Sequence, residues 1–430
     1  MFEKNLILIH LESLNDAIYL NGAHLFPNIN RIAQESFRCR NFYATATSTV
    51  MVLSDFMYGN IHQYEKSLDL THLQSNHEKE SIFEKLKKED YQVESYIYPK
   101  FGRNHDTSDF KKILGENDLF LETDEYTEFI ENIERVISSS EKYGLYVYDW
   151  TSLNDSTSAR RNECEPGWHN VFENRYKKID ETVDKVFEIL KKYKKLDNTT
   201  VVLFGDHGDD MWSHGLGKGF THAVEPYLNL IKVPVFIYDA DAGNGDIDNL
   251  LNTSDMAELI ERFLKKDINK EELIRYKFRD YSFSRNLFVG QKSKVLNKGY
   301  SVTDGKYQLQ VSKYGLELYM CRYSCYSQIN MLNFFELTDG KIRLRKGVDR
   351  ISGRHFLYAF LYQEEEIRKE YEKLLPVLKE QIATLAQKAG TFNETEKWFK
   401  AIRYDKTILK IIRKNMWDEK IKVVRALLHL

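Results

Sequence analysis

The sequence predicts an α/β fold: a mostly parallel central sheet with helices on both faces, plus a small antiparallel sheet and a helical C-terminal region. Three observations carry this. Up to about residue 240, short apolar runs alternate with amphipathic segments. From about 281 to 345 the runs become short, alternating and broken by glycine. From about 355 onward the pattern is helical. Strand–helix alternation of the first kind builds parallel sheets covered on both faces.

Taken in chain order, Leu6–Leu11 reads as the first buried strand. Val93–Tyr98, Leu145–Tyr148, Thr200–Phe204 and Val233–Tyr238 read as the next four. Between the third and fourth, Ile179, Val183, Val186 and Leu190 recur at spacings of four, three and four, one face of a helix over Val171–Leu196. Asp197 and Asn198 then break it. Tyr307–Val311 and Leu316–Tyr319 read as strands of the antiparallel sheet, punctuated by Gly299, Gly305 and Gly315. The expected organisation is a main α/β domain over 1–280, a small β subdomain over 281–350 and a helical region over 351–430.

Composition narrows the function. The chain has 430 residues, 42% of them hydrophobic, enough to bury a large core. An aromatic share of 13% excludes a disordered chain. A net charge of -3 carries no global basic excess, so no nucleic-acid partner is expected. Cys39, Cys164, Cys321 and Cys325 are too sparse for a disulfide scaffold, and the C-x3-C pair reads as ordinary thiols. No apolar run approaches the roughly 18–20 residues of a membrane span, and no signal peptide is apparent. The expected location is cytoplasmic. Residues 391–430 carry ten Lys/Arg against five Asp/Glu. There Trp398, Phe399, Ile402 and Ile408 beside Lys400, Arg403 and Lys410 suggest peripheral contact with an anionic membrane. The competing expectation is a packed helix with a solvated charged face.

Chemistry-bearing residues gather where strands end, the place where open α/β sheets bind ligands. The first strand runs into Glu12, and Thr200–Phe204 runs through Gly205 into Asp206-His207-Gly208-Asp209. Carboxylates and an imidazole at the mouths of buried strands suit a divalent metal. The hydroxyl cluster Thr45, Thr47, Ser48 and Thr49 caps a helix that begins near 49 and ends at Gly59. A hydroxyl there shares the positive helix N-terminus with any bound phosphate or sulfate. The glycine-rich basic stretch His214–His222 is placed to close around an oxyanion.

Together these blocks resemble the sulfatase and alkaline phosphatase superfamily over most of residues 5–240. Leu6–Leu14 is similar to its first metal-binding strand, and Phe26–Ala33 to the entry of its first helix. Asn41–Ala44 leads to the nucleophile helix, and Asn198–Gly208 is similar to the second metal-binding strand. His214–Gly219 resembles the loop that contacts the transferred group, and Lys232–Tyr238 the strand that follows. The resemblance implies Glu12, Asp206 and His207 as metal ligands, with Thr49 as nucleophile and fourth ligand. It implies His214 and Lys218 on non-bridging oxygens, assisted by His222. Asp209 and Asp210 are read as supporting partners of these groups or as solvated acids. A mixed O/N set implies zinc first and manganese next.

The departures shape the expected activity. Sulfatases convert a cysteine or serine to formylglycine, whereas Thr49 is followed by Val50-Met51-Val52-Leu53 and cannot be converted. Ser13 stands where many sulfatases have a second aspartate. Asp149-Trp150-Thr151-Ser152 occupies the place of the central histidine, with His169 the nearest imidazole. A threonine nucleophile with a glutamate ligand resembles the phosphoethanolamine transferases and lipoteichoic acid synthases. The resemblance therefore implies phosphoryl transfer from a phosphodiester through Thr49 to water or a glycan hydroxyl. The expected substrate is a small molecule, a glycan or a lipid head group. The alternatives are a sulfate-ester hydrolase and a non-catalytic scaffold that keeps the fold.

Overall fold

The computed structural model describes residues 1–61, 79–100, 107–115, 117–150, 168–210, 214, 222, 225–289, 295–321, 330–345, 364–388 and 392–404. Among these, eight strands form the main sheet: β1 (Asn5–Leu11), β2 (Phe37–Cys39), β3 (Gln92–Tyr98), β4 (Leu119–Glu122), β5 (Tyr143–Asp149), β6 (Thr199–Gly205), β7 (Val235–Tyr238) and β8 (Gly245–Ile247). Their order is β4-β3-β5-β1-β6-β7-β2-β8. Only β7 runs against its neighbours β6 and β2. All five strands expected from apolar runs are present. The short β2, β4 and β8 carry too few residues for a period to be read.

β1 is buried throughout, so side-chain parity decides which core each residue joins. Ile7, Ile9 and Leu11 pack with Val201, Leu203 and the helices Pro27–Gln34, Tyr126–Ser139 and Trp168–Lys192 on one face. Leu6 and Leu8 join Tyr146, Tyr148, Val202 and Phe204 on the other. That second face is covered by the helices Thr49–Tyr58, Ile82–Lys88 and Met256–Leu264. The expected helix exists and Gly59 ends it in the left-handed conformation at φ 65°, but Ser48 at its N-cap makes no side-chain capping hydrogen bond, so the expected hydroxyl cap is not formed there.

A four-stranded antiparallel sheet follows: β9 (Ser282–Val289), β10 (Val295–Thr303), β11 (Tyr307–Ser312) and β12 (Gly315–Met320). Gly305 and Gly315 sit in turns at positive φ. Gly299 does not break the sheet; it lies inside β10. A Cβ there would meet Val311 O of the neighbouring strand at 3.1 Å and Pro226 Cδ at 3.2 Å, so the close approach of these two segments explains this glycine. The Glu364–Lys388 helix packs Ile367, Tyr371, Leu374, Leu378 and Ile382 into the same core as this sheet.

The expected lipid-facing residues are placed differently. Trp398 and Ile402 are buried in that core, and Phe399 packs against it. Leu316 bridges to Ile402, so the segment after helix Phe392–Trp398 is strapped to the sheet rather than offered to lipid. Ile408 and Lys410 lie outside the described residues. Among the described residues, no helix is long and apolar enough to cross a membrane. Cys39 and Cys321 are buried free thiols, pushed up by burial to about 12 and about 11, and so stay protonated. Cys164 and Cys325 lie outside the described residues.

Candidate functional site

β1 and β6 are parallel neighbours with Leu11 opposite Gly205, so Glu12 and Asp206 leave the sheet side by side. Both are buried. Ser13 turns the chain away at φ 50°, a left-handed conformation that costs a serine ~1–2 kcal/mol. Its hydrogen bonds offset this. The Ser13 N–H donates to Asp206 Oδ1 at 3.0 Å, and its hydroxyl donates to Glu12 Oε1 at 2.8 Å. Tyr176 OH donates to the Ser13 carbonyl at 3.3 Å. The residue that departs from the family pattern therefore ties the two acids together.

The chain on either side of Asp206 and His207 is held by two close approaches. A Cβ on Gly205 would lie 2.3 Å from Leu14 O, and one on Gly208 would lie 2.0 Å from Asn229 O. Only glycine lets these backbones touch. His207 Nδ1 sits 3.1 Å from the Gly208 carbonyl, an acceptor, so Nδ1 carries the proton. Its Nε2 lone pair then faces Thr49 Oγ1 at 3.1 Å and Asp206 Oδ2 at 3.2 Å. Thr49 is the first residue of its helix. The structure thus brings Glu12, Thr49, Asp206 and His207 to one place.

The electrostatics fit a cation. Burial pushes the Asp206 carboxyl up, but the neighbouring His207 and His10 and its hydrogen bonds outweigh this, holding it far below the usual carboxylate range. Burial lowers the His207 pKa against the opposing pull of Asp206. Asp206 Oδ2 and His207 Nε2 thus face each other 3.2 Å apart, away from solvent. Asp206 Oδ2 is buried without a well-aligned hydrogen bond. A bound cation would relieve both conditions.

His10 was not anticipated. It lies two residues before Glu12, hence on the same face of β1, and its register partners are Tyr148 and Phe204. The three rings stack, with centroids 4.1 and 5.0 Å from His10. His10 Nε2 is 3.3 Å from Asp206 Oδ2 and 3.8 Å from Glu12 Oε2. One ligand atom each of His10, Glu12 and Asp206 lies within 4.8 Å of the others. Tyr146 OH is 2.7 Å from His10 Nδ1. Tyr148 donates its hydroxyl to Glu12 Oε2. Burial, then the charges of Glu12 and Asp206, hold that phenol protonated well above the ordinary range. Strand parity with Glu12 is the sequence signal that could have found His10.

Asp209 and Asp210 are buried, not solvated. Asp209 Oδ1 is 3.3 Å from His222 Nδ1, and Asp210 Oδ1 is 2.5 Å from His214 Nδ1. Consecutive carboxylates each orient one histidine. The His222 ring lies 4.3 Å from that of His207. Arg175, fully inside the protein, donates to the Glu12 carbonyl at 3.0 Å and sits 3.5 Å from Asp209 Oδ2. Asp149, in the place of the expected central histidine, accepts from Thr182 Oγ1 at 2.7 Å. Lys218 and the side chain of His169 lie outside the described residues.

This arrangement of sheet, strand-end acids and helix-borne hydroxyl is of the alkaline phosphatase type. A family profile described as Sulfatase matches residues 4–165 and 154–260, and the chain belongs to the sulfatase family. It is a hydrolase or transferase of that superfamily. Among curated proteins no sequence matches it significantly. Among solved structures, it is similar to an alkaline phosphatase superfamily protein from Vibrio parahaemolyticus at 15% identity and TM-score 0.55, covering 94% of this chain and 90% of that one. The lipoteichoic acid synthase LtaP from Listeria monocytogenes is 15% identical, with TM-score 0.52 over 76% of this chain and 90% of that one. BT4656, solved with its substrate D-glucosamine-2-N,6-O-disulfate, is 12% identical, with TM-score 0.59 over 92% of this chain and 100% of that one. At these identities the likeness is one of fold.

Proposed function

We propose that the protein is a metal-dependent phosphoryl-transfer enzyme that cleaves a phosphodiester through a Thr49-bound intermediate. The observation that carries this is Thr49 Oγ1, at a helix N-terminus and 3.1 Å from His207 Nε2, beside two buried carboxylates. Glu12, Thr49, Asp206 and His207 would hold a divalent metal, zinc or manganese by the chemistry of the set. When bound, the metal lowers the pKa of the Thr49 hydroxyl and offsets charge on the transferred group.

The chain's own residues do the rest. The Thr49 oxygen attacks phosphorus, an O–P bond forms, and the bond to the leaving alcohol breaks. His214 and His222 keep Nδ1 turned to a carboxylate, so Nε2 is the atom each has for substrate. The Nε2 lone pair of one takes the proton that the Thr49 hydroxyl gives up and delivers it to the departing alkoxide, while the other is placed at a non-bridging oxygen. The acceptor, water or a glycan hydroxyl, then attacks phosphorus, the Thr49 O–P bond breaks, and the acceptor's proton passes through the same Nε2 to the Thr49 oxygen. Threonine lacks the hemiacetal route by which formylglycine releases sulfate, so its adduct must be attacked again at the central atom. Phosphorus accepts that second attack more readily than sulfur.

The family assignment favours a second reading, hydrolysis of a sulfate ester. Parallel turnover of an aryl phosphodiester and an aryl sulfate separates the two. Faster cleavage of the phosphodiester is expected, and preference for the sulfate would overturn the first reading.

His10 belongs to this centre as a support. Tyr146 has its hydroxyl at Nδ1, and burial holds that phenol protonated, so it donates and leaves the ring proton on Nε2. That N–H faces the two carboxylates and steadies them. His10→Phe keeps the ring stack and deletes both nitrogens. Zinc affinity measured by titration calorimetry should fall about 10–100-fold. Unchanged affinity would remove His10 from the centre.

A further inference from the structure

We propose that Arg403, contributed by the C-terminal region, is a positioning residue of the active site that acts through Tyr227 on His214. This rests on the reading of His214 as a contact of the transferred group. The His214 ring lies flat on Tyr227, with centroids 3.4 Å apart and planes 6° from parallel. Asp210 fixes the ring's direction within its plane through Nδ1, and Tyr227 fixes the plane itself. The orientation of Tyr227 therefore decides where His214 Nε2 points.

Tyr227 is fully buried, and its hydroxyl accepts a hydrogen bond from Arg403 Nη1. The guanidinium is held from several sides. Glu317 Oε2 is 3.3 Å away and Glu225 Oε1 is 4.0 Å away, while the Tyr314 ring centroid is 4.9 Å from the guanidinium carbon. Glu317 is itself fixed by Tyr319 OH at 2.5 Å and Gln310 Nε2 at 3.0 Å. The backbone is pinned as well. Arg403 N–H donates to Leu316 O at 3.0 Å, and Asn330 Nδ2 donates to Arg403 O at 2.6 Å. A rigid four-stranded sheet thus carries one cation across to the aromatic plate beneath a site histidine. Such supporting contacts hold reacting groups in productive geometry without touching substrate.

The test uses the full chain. Arg403→Met keeps the alkyl stem and removes the guanidinium; Tyr227→Phe keeps the plate and removes the hydroxyl that Arg403 holds. His214 ring protons are followed by NMR in histidine-labelled protein, with the resonance assigned through His214→Ala. The stacked ring should resonate upfield, and both variants should move it toward the unstacked position. Turnover of the aryl phosphodiester should fall about 10–100-fold in Arg403→Met. On a His214→Ala background the same change should cost nothing further. An unmoved resonance in a folded Arg403→Met or Tyr227→Phe protein overturns the proposal, as do losses that multiply in the double variant. Full turnover by His214→Ala alone would instead overturn the role given to His214 and Arg403's kinetic effect with it. The resonance still reports the positioning independently.

Discussion

Thr49→Ala should lower turnover of an aryl phosphodiester by at least about a thousandfold, the scale on which enzymes lose a covalent nucleophile. The loss should come without unfolding. Thr49 is partly buried, and Ser48 caps the helix by backbone geometry without a side-chain hydrogen bond. Removing the hydroxyl therefore leaves no orphaned partner except His207 Nε2, which keeps Asp206 beside it. Thr49→Ser should retain part of the activity, because the hydroxyl remains while the methyl group that restricts χ1 is gone. Mass spectrometry of wild-type protein quenched during turnover should find a phosphoryl group on the peptide containing Thr49. The adduct should be absent in Thr49→Ala. Full activity in that variant, or an adduct on another residue, would end the account of Thr49 as nucleophile.

The parts of this site that were legible in the sequence are those fixed by local pattern. Glu12 and Asp206 were visible because each directly follows a mostly apolar, fully buried strand, and Thr49 because Gly59 closes its helix at a countable distance. What stayed hidden depends on register between strands. Nothing near His10 in the chain says that Tyr148 and Phe204 will flank it; that follows from the pairing of β1 with β5 and β6. The roles of Asp209 and Asp210 were hidden for a similar reason. A pair of adjacent acids reads equally well as solvated or as buried, and only the return of His214 and His222 over them decides. Gly299 misled because a glycine that breaks a strand and one that admits a neighbouring segment of the same chain look alike in sequence. The apolar residues near 400 left two readings open because an amphipathic stripe is the same whether it meets lipid or a neighbouring sheet; the burial of Trp398 and Ile402 fits the packed one.

Breaking the Asp55–Arg285 pair should cost about 3–5 kcal/mol, the scale for removing one partner of a fully buried ion pair. Both side chains are 0% exposed, with Nη1 2.8 Å from Oδ2 and Nη2 3.1 Å from Oδ1. This bidentate fork joins β9 to the helix that begins at Thr49. Thr45 is drawn into the same knot: its hydroxyl donates to Asp55 Oδ2 at 2.5 Å, and its carbonyl accepts from Arg285 Nη1 at 3.1 Å. Ser284 adds a hydrogen bond to Ala44 O at 2.6 Å. The chain leading into the helix that begins at Thr49 is thus gripped by the antiparallel sheet at successive residues. Arg285→Met strands the Asp55 charge in a dry interior, and equilibrium urea denaturation should register the full loss. Pairing it with Asp55→Leu removes both charges at once, and the double variant should recover much of the stability, because the desolvation of two ions is then no longer required. Activity should not recover with it. Thr45 would lose two of its anchors, and the segment that sets the angle of Thr49 would be held less firmly. A double variant that regains both stability and full turnover would mean that the pair serves the fold alone; one that regains only stability places the antiparallel sheet among the determinants of the nucleophile's aim.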